Sequence, residues 1–192
     1  MIRILPAGLL PSDTRIEFFN DPTDQEKSYF ITKGVAARVK DAAENIKNII
    51  RKDIAKHAVK AEALVYLGYE TDNEQLEKYT SCCSGAFDGK ADVVNGEFLH
   101  NEWWPCPKRG GECPVEGRLC DALVVGPNGD YLTASEIKVF TLAARGLQNK
   151  EIAYTLGISE ETVKVHLKHI YAKSGVMNKS ELILLAFKKN LI

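Results

Sequence analysis

The chain has 192 residues, 45% hydrophobic and 27% charged, with a formal net charge of −1 at pH 7. This is the composition of a soluble protein able to build a real core, as one large domain or two small ones, and no run approaches the ~18 apolar residues of a membrane-spanning helix. The charge is uneven: from Thr133 onward nine Lys/Arg face five Glu, while the remainder carries 16 Lys/Arg against 21 Asp/Glu, so a polyanionic partner is expected for the tail only.

The opening "MIRILPAGLLPSD" is a short apolar stretch broken by Pro6, and it reads as no signal peptide. A cytoplasmic location is therefore expected, where five cysteines argue against a disulfide framework. "RIEFF" (15–19) and "YFITK" (29–33) are strand-like around a turn-rich "NDPTDQ". From about Val35, apolar residues recur at 35, 39, 42/43, 46, 49/50, 54 and 58, which predicts a long amphipathic helix, with or without a break, as far as Gly68. Asp72, with Gln75 three residues on, predicts the cap of a further helix, "NEQLEKYTSCC".

"ADVVNGEFLH" (91–100) reads as a hairpin, because Asn-Gly tolerates the positive φ angles of a type I′ turn. "DALVV" is a candidate strand and "GPNGD" a turn, placing a boundary near 126–132. The expected architecture is an α+β domain over 1–128 with a cysteine-rich segment at 82–120, then an all-α, four-helix domain over 129–192.

Within "CPKRGGECPVEGRLC" (106–120), Cys106, Cys113 and Cys120 are evenly spaced, and Cys83 upstream supplies a fourth sulfur, with Cys82 or His100 as alternative ligands. Four sulfurs are what a tetrahedral Zn2+ or an iron–sulfur cluster needs, and a metal would order a segment with few apolar residues of its own. Zn2+, the commoner structural choice, is the expected ion, with the cluster as the alternative; because the spacing differs from the tight CxxC knuckle of common zinc ribbons, packed free thiols and a redox-switched disulfide stay open beside them. A cysteine nucleophile with His57 or His100 as base has no local signature behind it, and no enzymatic activity is expected.

The tail is written in helix grammar. Thr133 and Glu136 make a capping box, with Ile137, Phe140, Leu142 and Ala144 facing inward before Gly146. Asn149 reads as the next cap, with Ile152, Ala153 and Leu156 inside and Gly157 as terminator. Ser159 caps a third helix with two glutamates in its first turn. Val163, Leu167 and Ile170 then turn inward, leaving Lys164, Val165 and Lys168 on the outer face, where lysines can donate to guanine or phosphate and valine can meet a thymine methyl. His166 and His169, three apart with no third ligand, read as packing or backbone contacts.

"LTASEIKVFTLAARGLQNKEIAYTLGISEETVKVHLKHIYAKSGVMNKSELI" resembles the LuxR-type (GerE-like) helix-turn-helix family over its whole length. The resemblance implies a regulator of transcription that binds double-stranded DNA with its third helix in the major groove. It implies base contacts from Lys164, Val165 and Lys168, and phosphate contacts from Asn149, Lys150, Thr162, Lys173 and Lys179. It also implies a homodimer on an inverted or tandem repeat, paired through the fourth helix, "NKSELILLAFKKN"; the apolar face of the long N-terminal helix makes that helix the other candidate. Ser174 departs from the family's usual leucine and Met177 from a residue that is often basic or polar. The front carries neither the acidic pair of a phosphoacceptor receiver nor an acyl-homoserine-lactone pattern nor a phosphate-binding loop, and is read as a modulating domain of its own kind. The rival readings are an adaptor whose tail contacts protein, and a cysteine-based redox or iron–sulfur sensor.

Overall fold

The computed structural model describes residues 5–99, 103–109, 112–121, 123–126, 130–189 and 191–192. The chain divides into two compact units: Met1–Cys106 with Val115–Asp121, and Pro107–Pro114 with Ala122–Ile192.

The first unit opens on an antiparallel meander, β1 (Glu17–Asn20), β2 (Ser28–Thr32) and β3 (Val35–Arg38), in register Phe18↔Phe30 and Phe30↔Ala37. Asp21 ties the β1–β2 connection, its Oδ1 accepting from the Thr23 amide at 2.8 Å and the Thr23 hydroxyl at 2.6 Å. Lys33 and Gly34, at φ 51° and 76°, turn β2 into β3. A single 3₁₀ turn at Val39–Asp41 then leads into α1 (Glu44–Lys56) and α2 (Ala58–Tyr66), separated at His57. The long helix read from Val35 is thus corrected: its first turns are a strand and a 3₁₀ turn. The alternation around Lys33-Gly34 is that of a hairpin, and Ile46 and Ile50 begin the true helical stripe.

Helix α3 (Asp72–Cys83) starts one residue earlier than the sequence suggested. Thr71, not Asp72, is the cap, and Glu74 closes the box by accepting from the Thr71 amide at 3.1 Å. Leu76, Tyr79, Thr80 and Cys83 are its buried stripe, and the Tyr79 hydroxyl donates to buried Asp53 of α1 at 2.7 Å. The Asn95-Gly96 hairpin forms as expected between β4 (Val93–Val94) and β5 (Glu97–Phe98), with φ 55° and 77° at the turn. Ile16 bridges to Val93, which docks this hairpin beside the meander.

In the second unit, β6 (Leu123–Val124) pairs with β7 (Tyr131–Leu132); residues 127–129 of the turn read there lie outside the described residues. Four helices follow: α4 (Ala134–Ala144), α5 (Asn149–Leu156), α6 (Glu160–Ser174) and α7 (Lys179–Lys188). β6 falls within the candidate strand "DALVV", and β7, ahead of the helices, is an element absent from the all-α reading of residues 129–192. Gly126 follows β6 against the Lys173 carbonyl at the end of α6, where any side chain would collide with backbone.

Candidate nucleic-acid interface

Helix α4 is set by the capping box expected from Thr133 and Glu136. The Glu136 carboxylate accepts from the Thr133 amide at 2.8 Å, and the Glu136 amide donates to the Thr133 hydroxyl at 3.3 Å. The same carboxylate reaches α6, accepting from Lys173 Nζ at 2.7 Å, with His169 Nδ1 at 3.6 Å. Burial of Glu136 would raise its pKa, but Lys173 and the Thr133 donors outweigh burial and hold it below the usual value. One glutamate therefore starts α4 and fastens α6 to it.

Helix α5 is capped by Gln148 rather than Asn149, because Glu151 accepts from the Gln148 amide at 2.7 Å. Gly157 ends it in the left-handed region at φ 66°, and only Ile158 separates that stop from the next cap. Ser159 then accepts from the Thr162 amide at 3.0 Å and starts α6. This short, fixed turn holds α6 against α4 and α5 through Val163 and Ile170, both fully buried. Leu167, expected beside them, is half-buried.

The outer side of α6 presents Lys164, Val165 and Lys168, all exposed. Lys164 pairs with Glu161 at 3.1 Å on the helix surface, where a polyanion can displace the carboxylate. Val165 is 47% exposed between the two lysines, an apolar contact presented to solvent. Of the residues read as phosphate contacts, Lys150 and Thr162 are exposed, and Asn149 is half-buried at the start of α5. Lys179 donates to the carbonyls of Gly146 and Leu147 at 3.2 and 3.4 Å, closing the end of α4. Lys173 is engaged with Glu136 and is about two-thirds covered. Sequence reasoning missed that pairing, because the two residues lie 37 positions apart and only the fold joins them. It also passed over Tyr154, 91% exposed one helical turn after Lys150 on α5; the i, i+4 spacing was the available signal. Ser174, where leucine was expected, is buried with its hydroxyl donating to the Ile170 carbonyl at 2.6 Å, so the departure is satisfied locally.

Among the described residues the cysteines do not come together as a comparable cluster. None of the five is joined in a disulfide: Cys83 and Cys120 are buried, and Cys82, Cys106 and Cys113 half-buried. Among the described residues no group of three or more His, Cys, Asp or Glu stands together so as to hold a metal ion. His100, Gly110 and Gly111 lie outside the described residues. The later part of the segment is fixed by ordinary means, with Val115 and Leu119 buried, Cys83 Sγ donating to the Leu119 carbonyl at 3.2 Å, and Lys60 paired to Asp121 at 3.3 Å. Val115 and Leu119 thus anchor a segment that has few apolar residues of its own. Burial pushes the Cys83 thiol well above its usual value, away from the thiolate that a nucleophile requires.

No helix among the described residues is long and apolar enough to cross a membrane. Residues 130–186 match the family described as bacterial regulatory proteins, luxR family. The transcriptional regulatory protein YdfI of Bacillus subtilis is 40% identical over 65 residues, covering 34% of this chain and 30% of that protein. The oxygen regulatory protein NreC of Staphylococcus aureus is 43% identical over 61 residues, covering 32% and 28%. The chain thus spans less than a third of the length of these curated relatives. No solved structure matches it.

Proposed function

Starting from a chain whose residues 130–186 are a helix-turn-helix domain of the luxR family, we propose a sequence-specific double-stranded DNA-binding regulator of transcription that reads the major groove with α6. The observation that carries this reading is the division of α6 into a buried side, Val163 and Ile170, and an exposed side, Lys164, Val165 and Lys168. That exposed set joins two cations to one apolar contact, which suits base edges better than a uniformly charged face would. Leu184 and Phe187, 54% and 61% exposed one turn apart on α7, support pairing of two copies through the fourth helix. Sedimentation of the full chain with and without duplex tests that pairing. The first unit acts as the modulating domain.

An anisotropy titration with random duplex at low salt separates this reading from a protein-binding adaptor, since an adaptor gives no saturable signal. The two basic residues read as phosphate contacts are expected to behave differently. Lys150→Ala should reduce the slope of log K against log [salt] by ~1, because Lys150 is exposed beside the start of α5. Lys173→Ala should instead lower the stability of the helical unit by ~1–2 kcal/mol, because it strips the partner from nearly buried Glu136. Hydrogen exchange of the α4 and α6 amides reads that loss, and an unchanged exchange pattern would return Lys173 to the phosphate set.

A further inference from the structure

In the first unit, a cleft of about 450 Å³ opens between the β1–β2 connection and the chain leaving α3, a size within the range of small-molecule sites. Its walls are aromatic. Phe19 stacks on Tyr29 with ring centres 5.8 Å apart and meets Phe87 at 5.0 Å, tilted by 58°, so the two phenyl rings form a corner. Trp104 supplies a further wall, its indole N–H donating to the Cys82 carbonyl at 3.3 Å, which fixes the ring. Gly85 lies between these walls; a side chain there would run into Trp104 and Asn20, so the cleft depends on its absence. Phe87, which lines the cleft, is 55% exposed.

The polar lining has one sign. Among the described residues lining the cleft, Asp21 is the charged one, and no Lys, Arg or His stands with it. Its Oδ1 is occupied by the Thr23 amide and hydroxyl, contacts that hold the carboxylate ionised and leave Oδ2 for another partner. Asn20 donates to the Ser81 carbonyl at 3.1 Å, while its own carbonyl oxygen is buried with no protein donor. A neutral aromatic guest would leave the carboxylate uncompensated, and an anion would face it directly. A cation carried on methyl or methylene groups satisfies both features, because aromatic faces attract positive charge and a carboxylate completes the field.

We infer that this cleft binds a compact organic cation of the alkylammonium class, seated against Phe19, Phe87 and Trp104 with its charge toward Asp21. The inference goes beyond the DNA-reading proposal and is tested without DNA. The probes are choline, tetramethylammonium and the uncharged carbon isostere of choline, 3,3-dimethyl-1-butanol, titrated calorimetrically into the full-length protein. The charged probes should bind one to one at about millimolar concentration or below, and the isostere at least about tenfold more weakly. Phe87→Leu and Asp21→Asn, both at the cleft's rim, should each weaken choline about fivefold or more, with unchanged circular dichroism as the folding control. Absence of saturable binding by either cation overturns the assignment. So does equal binding of the isostere, or indifference to both substitutions.

Discussion

Replacing Lys164, Val165 and Lys168 together by alanine is expected to abolish the protein's preference among duplex sequences while leaving its fold and most of its salt-dependent affinity intact. All three are exposed on α6, and the residues that seat this helix, Val163 and Ile170, are untouched, so the change alters surface rather than core. A good base contact contributes ~1–3 kcal/mol of discrimination, so losing two lysine contacts and one methyl contact should reduce preference for the selected site by on the order of a hundredfold or more. Non-specific binding should persist through Lys150 and other exposed cations, with a salt slope smaller by up to ~2 if both lysines also neutralise phosphate. The measurement is a selection from a random duplex pool, followed by competition of the selected site against bulk DNA for both proteins. Retention of the selected site by the triple variant would mean that α6 is not the reading element, and would move attention to Tyr154 and the α5 surface.

The helical unit was legible because its signals are local and mutually consistent. Thr133 with Glu136, Ser159 before two glutamates, and glycines at 146 and 157 each mark a helix end within four residues of chain. The errors there were small and had physical causes. Gln148 took the cap from Asn149 because Glu151 is three residues beyond it, and Lys173 was claimed by a glutamate that only folding brings near. The first unit was less legible because its organisation is long-range. An apolar pattern at 35, 39 and 42/43 suits a helix as well as a strand followed by a 3₁₀ turn, and Lys33-Gly34 was not recognised as a turn. The aromatic cleft is assembled from Phe19, Phe87 and Trp104, spread over 86 positions, so no window of sequence contains it. The cysteine spacing gave no sign that the chain between Cys106 and Cys120 passes from one compact unit to the other and back.

The first unit should become more stable as pH falls from about 8 toward 5, the reverse of ordinary acid sensitivity, and Asp92 is the reason. Asp92 stands just before β4, 6% exposed, with its carboxylate accepting from the Phe18 amide at 2.6 Å. Burial pushes its pKa up to about 7; the Phe18 amide and Ser84 pull against that, while Glu17 and Asp88 add to it. Glu17 is itself buried, one carboxylate oxygen accepting from the Gly89 amide at 2.6 Å and the other without a partner, and burial raises its pKa as well. Because the folded pKa of Asp92 lies above its unfolded value of about 3.8, the folded state holds a proton that the unfolded chain has released across that interval. The stabilisation is full below the unfolded value, declines by up to ~1.4 kcal/mol per pH unit as pH rises, and is gone above about 7. Across the interval this amounts to a few kcal/mol at most, on the order of ~4 for Asp92 alone. Asp92→Asn keeps an acceptor for the Phe18 amide but cannot ionise, so it should remove most of the slope and stabilise the unit at pH 8. Both tryptophans lie in this unit, so urea unfolding followed by tryptophan fluorescence at pH 5, 6, 7 and 8 reads it selectively. Greater stability at pH 8 than at pH 5, or an unchanged slope in the Asn variant, would show that the Asp92 carboxylate is ionised in the folded protein and paid for by contacts other than the Phe18 amide.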